Sequence, residues 1–225
     1  MVYTDTPPTT SELITALARD LRDPINKTFT IEDLLQYIND GIVEVNRIYP
    51  IQATDSGELI QGQNSYDTRF SSVYRVEIWS DTSLVSTLPF NDGDSVYGGW
   101  ELMGQKLIIP PSVVAQSVFD AYPNLTISVT GYARRELGSI SALNDPTELD
   151  SEAALAVRWF AQYRASLALM NDRSLFKQWQ SESNNSDVSM PMLMNMVSTA
   201  AQMWERHKRD LIMYRRLPVG SPVVI

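Results

Sequence analysis

TTSELITALARDLRDPINKTFTIEDLLQYINDGIVEVNRIYP, residues 9–50, contains two helix starts and two helix stops. Thr9 and Glu12 have the S/T-x-x-E spacing of a capping box, in which each side chain satisfies a backbone N–H at a helix start. Leu13, Leu17 and Leu21 then recur every fourth residue, with Ile14 and Ala18 beside them, as one apolar helical stripe. Asp23-Pro24 ends that helix, because the residue before a proline avoids the α region. A second start follows at Thr30 with Asp33. Ile31, Leu34, Leu35, Ile38, Ile42 and Val45 continue at helical spacing to the stop at Tyr49-Pro50. The short connection suits antiparallel neighbours, so residues 9–50 predict an amphipathic helical hairpin.

Beyond the hairpin the period changes from 3.6 to two. Val73–Trp79 alternates, with Val73, Arg75, Glu77 and Trp79 on one side and Tyr74, Val76 and Ile78 on the other. Leu125–Tyr132 alternates as well, and Leu107-Ile108-Ile109 is a short apolar run stopped by Pro110-Pro111. Asn91–Asp94 and Gly98-Gly99 mark turns. These features predict an antiparallel β unit of about four to six strands. Helix returns after Asp150, where Leu155, Trp159, Tyr163, Leu167 and Met170 make the expected core stripe, with Val157, Phe160 and Ala161 broadening it. A polar loop, Ser181–Ser189, leads to a last long helix after Pro191. Leu217–Ile225 (LPVGSPVVI) cannot be helical throughout and reads as an extended apolar segment.

The expected fold class is α+β: a bundle of about four helices with an inserted antiparallel β unit and an extended C-terminal tail. Its divisions are 1–52 for the arm and hairpin, 53–149 for the β unit, 150–216 for the C-terminal helices and 217–225 for the tail, as one domain with a β insert. Leu17, Leu34, Ile38, Ile42, Leu155 and Trp159 are the predicted common core.

Composition narrows the chemistry. The 225 residues include no cysteine and a single histidine, which excludes disulfides, thiolate nucleophiles and cysteine-bound zinc. His207 sits among Glu205, Arg206, Lys208 and Arg209 and reads as an exposed or capping residue; no G-x-S-x-G elbow offers it a serine. No phosphate-binding glycine loop is present. Asp55 with Glu58, and Asp92 with Asp94, fall short of a calcium loop and read as turn aspartates. Trp100 reads as a β-core residue rather than a ligand platform. Neither a catalytic set nor a cofactor or metal site is expected. No apolar run approaches the ~20 residues needed to cross a bilayer, and Met1–Thr10 lacks the basic start and apolar stretch of a secretory signal.

Charge is divided along the chain. Residues 1–150 hold 21 acids and 9 bases, and residues 151–225 hold 6 acids and 9 bases. An acidic body does not attract phosphate backbones. The basic helix end and the apolar segment after it form a candidate partner-binding region: Arg209, Arg215, Arg216, Leu217, Val219, Val223, Val224 and Ile225. Val223-Val224-Ile225 has the β propensity to add to an open sheet edge, with the arginines steering it toward an acidic partner. The alternative is that the segment folds back on its own body.

The order of segments resembles the tailed-bacteriophage head-to-tail adaptor (connector) proteins. The resemblance rests on Glu12-Leu13-Ile14 through Asp23-Pro24, on Phe29-Thr30, and on Asp33-Leu34-Leu35-Gln36-Tyr37-Ile38-Asn39. It extends through Gly99-Trp100-Glu101-Leu102, Leu107-Ile108-Ile109-Pro110, Thr130-Gly131-Tyr132-Ala133-Arg134 and the helix Asp150–Leu169. It implies a structural virion protein of the neck, between capsid and tail, assembled in the host cytoplasm. It further implies a homo-oligomeric ring of about twelve subunits bound to the portal protein on one side and to a tail or stopper protein on the other. DNA would pass through the ring without specific binding, and no membrane is involved. A head-closure or tail-completion protein is the alternative from the same class, and a carboxylate-based hydrolase the one from another.

Overall fold

A computed structural model describes residues 6–91, 99–122 and 124–215, without the side chains of Tyr214 and Arg215. The chain forms two compact units: Met1–Tyr49 with Arg135–Ile225, and Pro50–Arg134.

The helical unit begins with α1, Thr10–Asp20, and α2, Ile31–Ile48. The predicted capping box of Thr9 with Glu12 is formed, and Thr30, the expected helix start, forms a second one with Asp33. The turn between the helices is organised by Asp23, which is fully buried. Its carboxylate accepts from the backbone N–H groups of Lys27, Thr28 and Phe29 at 3.0, 2.9 and 2.9 Å, and from the Ser183 hydroxyl at 2.7 Å. The Trp179 indole N–H donates to the Leu21 carbonyl at 2.8 Å, and the Asn185 amide donates to the Arg22 carbonyl at 3.0 Å. The carbonyls at the end of α1 are thus satisfied from the far part of the chain, and the N–H groups leading into α2 by Asp23 itself.

The helical unit continues with α4, Ser151–Asn171, α5, Arg173–Glu182, and α6, Met190–Arg215. A break at Asp172 separates α4 from α5; its side chain accepts from the N–H groups of Ser174 and Leu175 and so starts a new helix. The unit therefore has five α-helices among the described residues, where the pattern suggests about four.

Leu17, Leu34, Ile38 and Ile42 lie together in one core, as expected, with Ala153, Val157, Ala161, Ala165 and Leu169 of α4. The α4 stripe matches the predicted one at Val157 and Ala161 but departs from it in the large residues. Trp159 is only half-buried against this core, and Leu155 lies outside the cluster, also half-buried. The reason is that α4 packs against α1, α2, α5 and α6. A helix surrounded on most sides turns its small residues to its nearest neighbours, and large ones are displaced to the flanks. Gly41 of α2 shows how close the approach is: a Cβ placed there would lie 2.9 Å from the Val157 carbonyl oxygen.

The β unit contains β1 (Ile51–Glu58), β2 (Ser65–Asp67), β3 (Phe70–Ser80), β4 (Ser83–Leu88), β5 (Glu101–Met103), β6 (Lys106–Ile108), α3 (Gln116–Ala121) and β7 (Leu125–Ala133). The strands form two antiparallel sheets, one ordered β1-β7-β3-β4 and one ordered β2-β6-β5. That is seven strands among the described residues, and α3 has no counterpart in the sequence reading. β7 alternates buried and half-buried residues along its whole length, which matches its period-two pattern. β3 does not. Val76 and Ile78 are buried, but Tyr74 is exposed, because the pairing with β7 shifts register between Phe70 and Ser72 and again between Val73 and Arg75. A bulge of this kind moves a side chain to the other face. Gly131 sits opposite these shifts, where a Cβ would come within 2.3 Å of the Ser72 carbonyl oxygen. Trp100 is buried in the core of this unit, donates its indole N–H to the Leu88 carbonyl at 3.2 Å and meets Phe90 edge-on.

Candidate partner-binding surface

The predicted partner-binding residues separate into those that can be placed and those that cannot. Arg209 is exposed on α6, and its guanidinium bonds back to the Glu205 carbonyl at 3.2 Å. Lys208 pairs with Glu205 at 3.2 Å and lies over the Trp204 ring. This part of the helix is a solvated charged face with cations near a helix C-terminus, where they suit the helix dipole. Arg215 is the last residue of α6, but its side chain, together with Arg216, Leu217, Val219, Val223, Val224 and Ile225, lies outside the described residues.

His207 is buried rather than exposed. It lies on the inward face with Trp204 and Leu211, at i, i+3 and i+7 of the same helix, so it follows the apolar stripe and not its charged neighbours. Its Nδ1 lies 3.9 Å from a Glu152 carboxylate oxygen at the start of α4. The last turns of α6 therefore run past the first turn of α4.

Two further arrangements on the helical unit were not legible from pattern. The first is a ladder on α2. The Asn39 side-chain amide donates to the Gly138 carbonyl at 3.0 Å and accepts from the Gly138 N–H at 2.9 Å. Asn46 repeats this with Arg135, at 3.0 and 2.9 Å. Seven helical residues rise about 10.5 Å, and three residues of extended chain span about 10 Å, so the two spacings match. Asn39 belongs to the L-L-x-Y-I-N pattern of the sequence, whose asparagine thus has a structural role.

The second is Arg135, whose side chain is 1% exposed. Its guanidinium donates to the carbonyls of Tyr49 and Glu148, stacks over the Tyr49 ring and faces the Asp150 carboxylate at 3.6 Å. Burial lowers its pKa from the ordinary arginine value, while Asp150 and the other neighbours oppose that shift. Asp150 also caps α4 by accepting from the Ala153 N–H at 2.8 Å. Tyr49 and Arg135 are the two points at which the chain leaves and re-enters this unit, and one side chain ties them together.

An open groove of about 430 Å³ lies between the starts of α1 and α4. Pro8, Leu13, Ala16, Ala154 and Leu155 make it apolar, and Glu12 and Arg158 form its rim. Arg158 is already engaged by Asp20 of α1 in a bidentate pair, one arm of which measures 2.6 Å; that bond raises its pKa.

For chemistry the described residues offer little. They contain no group of three or more histidine, aspartate or glutamate side chains placed to hold a metal. Asp55 is paired with Arg69 at 3.1 Å; Asp92 and Asp94 lie outside the described residues. None of the described helices is long and apolar enough to cross a membrane. Compared with known proteins, the sequence matches one family model, described as SU10 adaptor protein, over residues 8–189. No curated protein matches it.

Proposed function

From the chain's membership of the SU10 adaptor protein family, a family of structural phage adaptors, we propose that it is the head-to-tail adaptor of a phage virion. In this reading it sits in the neck, as a homo-oligomeric ring of about twelve copies, bound to the portal protein and offering a platform to the tail or a stopper protein. It assembles in the host cytoplasm, lengthens the channel through which DNA is packaged and ejected, and carries out no catalysis.

The family match over residues 8–189 carries the proposal. The charge distribution supports the channel role, since a wall built from the acidic residues of 1–150 repels DNA and lets it slide. In the same reading Arg209, Arg215, Arg216 and the aliphatic residues Leu217, Val219, Val223, Val224 and Ile225 attach the subunit to its partner, the arginines by steering and the aliphatics by burial.

The test is to mix the purified chain with portal-bearing capsids that lack a neck and to image them by electron cryomicroscopy. A ring of density beneath the portal is expected. Capsids that stay bare, or subunits scattered over the shell, would overturn the proposal.

A further inference from the structure

We infer that the groove between α1 and α4 is the resting site of the chain's own C-terminal segment, Leu217–Ile225. The groove is apolar along its floor and half-buried where it opens. Leu155 lines it, and the sequence pattern of α4 marks that residue for a core. Its rim needs no ionic ligand: Glu12 is bonded to the Thr9 N–H at 2.8 Å, and Arg158 is taken up by Asp20. A site with satisfied charges and an unfilled apolar floor fits an uncharged aliphatic occupant better than an anion or a cation.

The position of α6 identifies that occupant. His207 lies beside Glu152, in the first turn of the helix that lines the groove from Ser151 to Arg158. Arg215 is eight residues further, about 12 Å along the helix. Ten more residues follow it in the sequence, a length that spans about 33 Å when extended. Pro218, Gly220 and Pro222 prevent helix from continuing and permit the chain to reverse. Beyond Arg216 the segment has no charged side chain and five aliphatic ones. One exposed apolar cluster of this unit, Met190, Met192 and Met194, is at the opposite end of α6, about 32 to 37 Å from Arg215 along the helix. Only a fully stretched segment would approach it.

Docked in this groove, the segment competes with its own attachment to a partner. That consequence rests on the attachment role given to the segment above, whereas the docking itself does not.

The absence of cysteine from the chain makes the test clean. Leu155→Cys is combined in the full-length protein with Val223→Cys, Val224→Cys or Ile225→Cys, and each pair is oxidised at low protein concentration. At least one pair is expected to form an intramolecular disulfide in the monomer, since the bond requires Cα atoms within about 7 Å. Met194→Cys with the same partners should not form one. In the cysteine-free protein, the amides of Val223–Ile225 should exchange about tenfold more slowly than in a Leu155→Asp variant of unchanged helix content. Disulfides that form only between molecules, yields no higher than the Met194→Cys controls, or exchange rates equal in the two proteins would each overturn the docking. A protein whose segment is locked in the groove by the disulfide and which still decorates portals would leave the docking intact and remove the attachment role instead.

Discussion

Asn39 and Gly138, ninety-nine residues apart, exchange two hydrogen bonds of 3.0 and 2.9 Å through one side-chain amide. The amide does for Gly138 what a paired strand would do. Asn39→Ala leaves a partly buried N–H and C=O without partners, at a cost of about 1–3 kcal/mol. Asn46→Ala should cost a similar amount. The double variant should cost less than the sum, because both asparagines hold the same segment. Urea denaturation of the three variants measures this; strictly additive losses would show that the two clamps act independently.

Arg135 is expected to tolerate no replacement. Arg135→Met removes the donors to the Tyr49 and Glu148 carbonyls and the buried cation that faces Asp150, for a loss of about 3 kcal/mol or more. Arg135→Lys keeps the charge but not the planar fork that spans both carbonyls, and should recover less than half of that loss. Equal stability of the lysine variant and the wild type in thermal melts would refute this account.

Gly41→Ala tests the contact between α2 and α4. In an exposed helix interior the change stabilises by about 1 kcal/mol. Here the new methyl meets the Val157 carbonyl at 2.9 Å, and overpacking costs about 1–3 kcal/mol. The sign should therefore reverse, with a lowered melting temperature. A raised one would mean that the two helices separate freely.

Leu34 and Leu155 form a contrasting pair. Leu34→Asp places a charge in the closed core and should cost about 3 kcal/mol or more. Leu155→Asp, on the open groove, should cost about 1 kcal/mol or less, because water still reaches the carboxylate. Comparable losses in denaturant titrations would return Leu155 to the core.

The acidic balance of residues 1–150 predicts no measurable duplex DNA binding by the isolated protein near physiological salt. Micromolar, salt-sensitive binding in a fluorescence titration would contradict the proposed channel wall.

Local chemistry made much of this fold legible. Both capping boxes, the stops at Asp23-Pro24 and Tyr49-Pro50, the alternation of β7 and the buried place of Trp100 follow from residues close together in the chain. The misreadings arise where distant residues decide. In α4 the pattern places Val157 and Ala161 correctly but not Leu155, because helical periodicity does not show how many neighbours surround a helix. Tyr74 changed face because the register of β3 depends on where the Gly131 backbone lets it approach. His207 was judged by its neighbours in sequence, although its helical face decides its burial. Arg135 and Asn46 carry no local pattern, and the one around Asn39 does not name its partner, since all three bond to backbone groups far along the chain.

The two crossings of the chain at Tyr49 and Arg135 have one more consequence. Ile51 and Ala133, just inside the β unit, face each other as partners in adjacent strands, about 5 Å apart. Residues 50–134 are therefore spliced into the helical unit through a doorway one strand wide. A tight two-residue turn bridges the same gap. The β unit behaves as a cassette: evolution or an engineer can lengthen it, shorten it or exchange it at these two peptide bonds, while the helices on the other side keep their register.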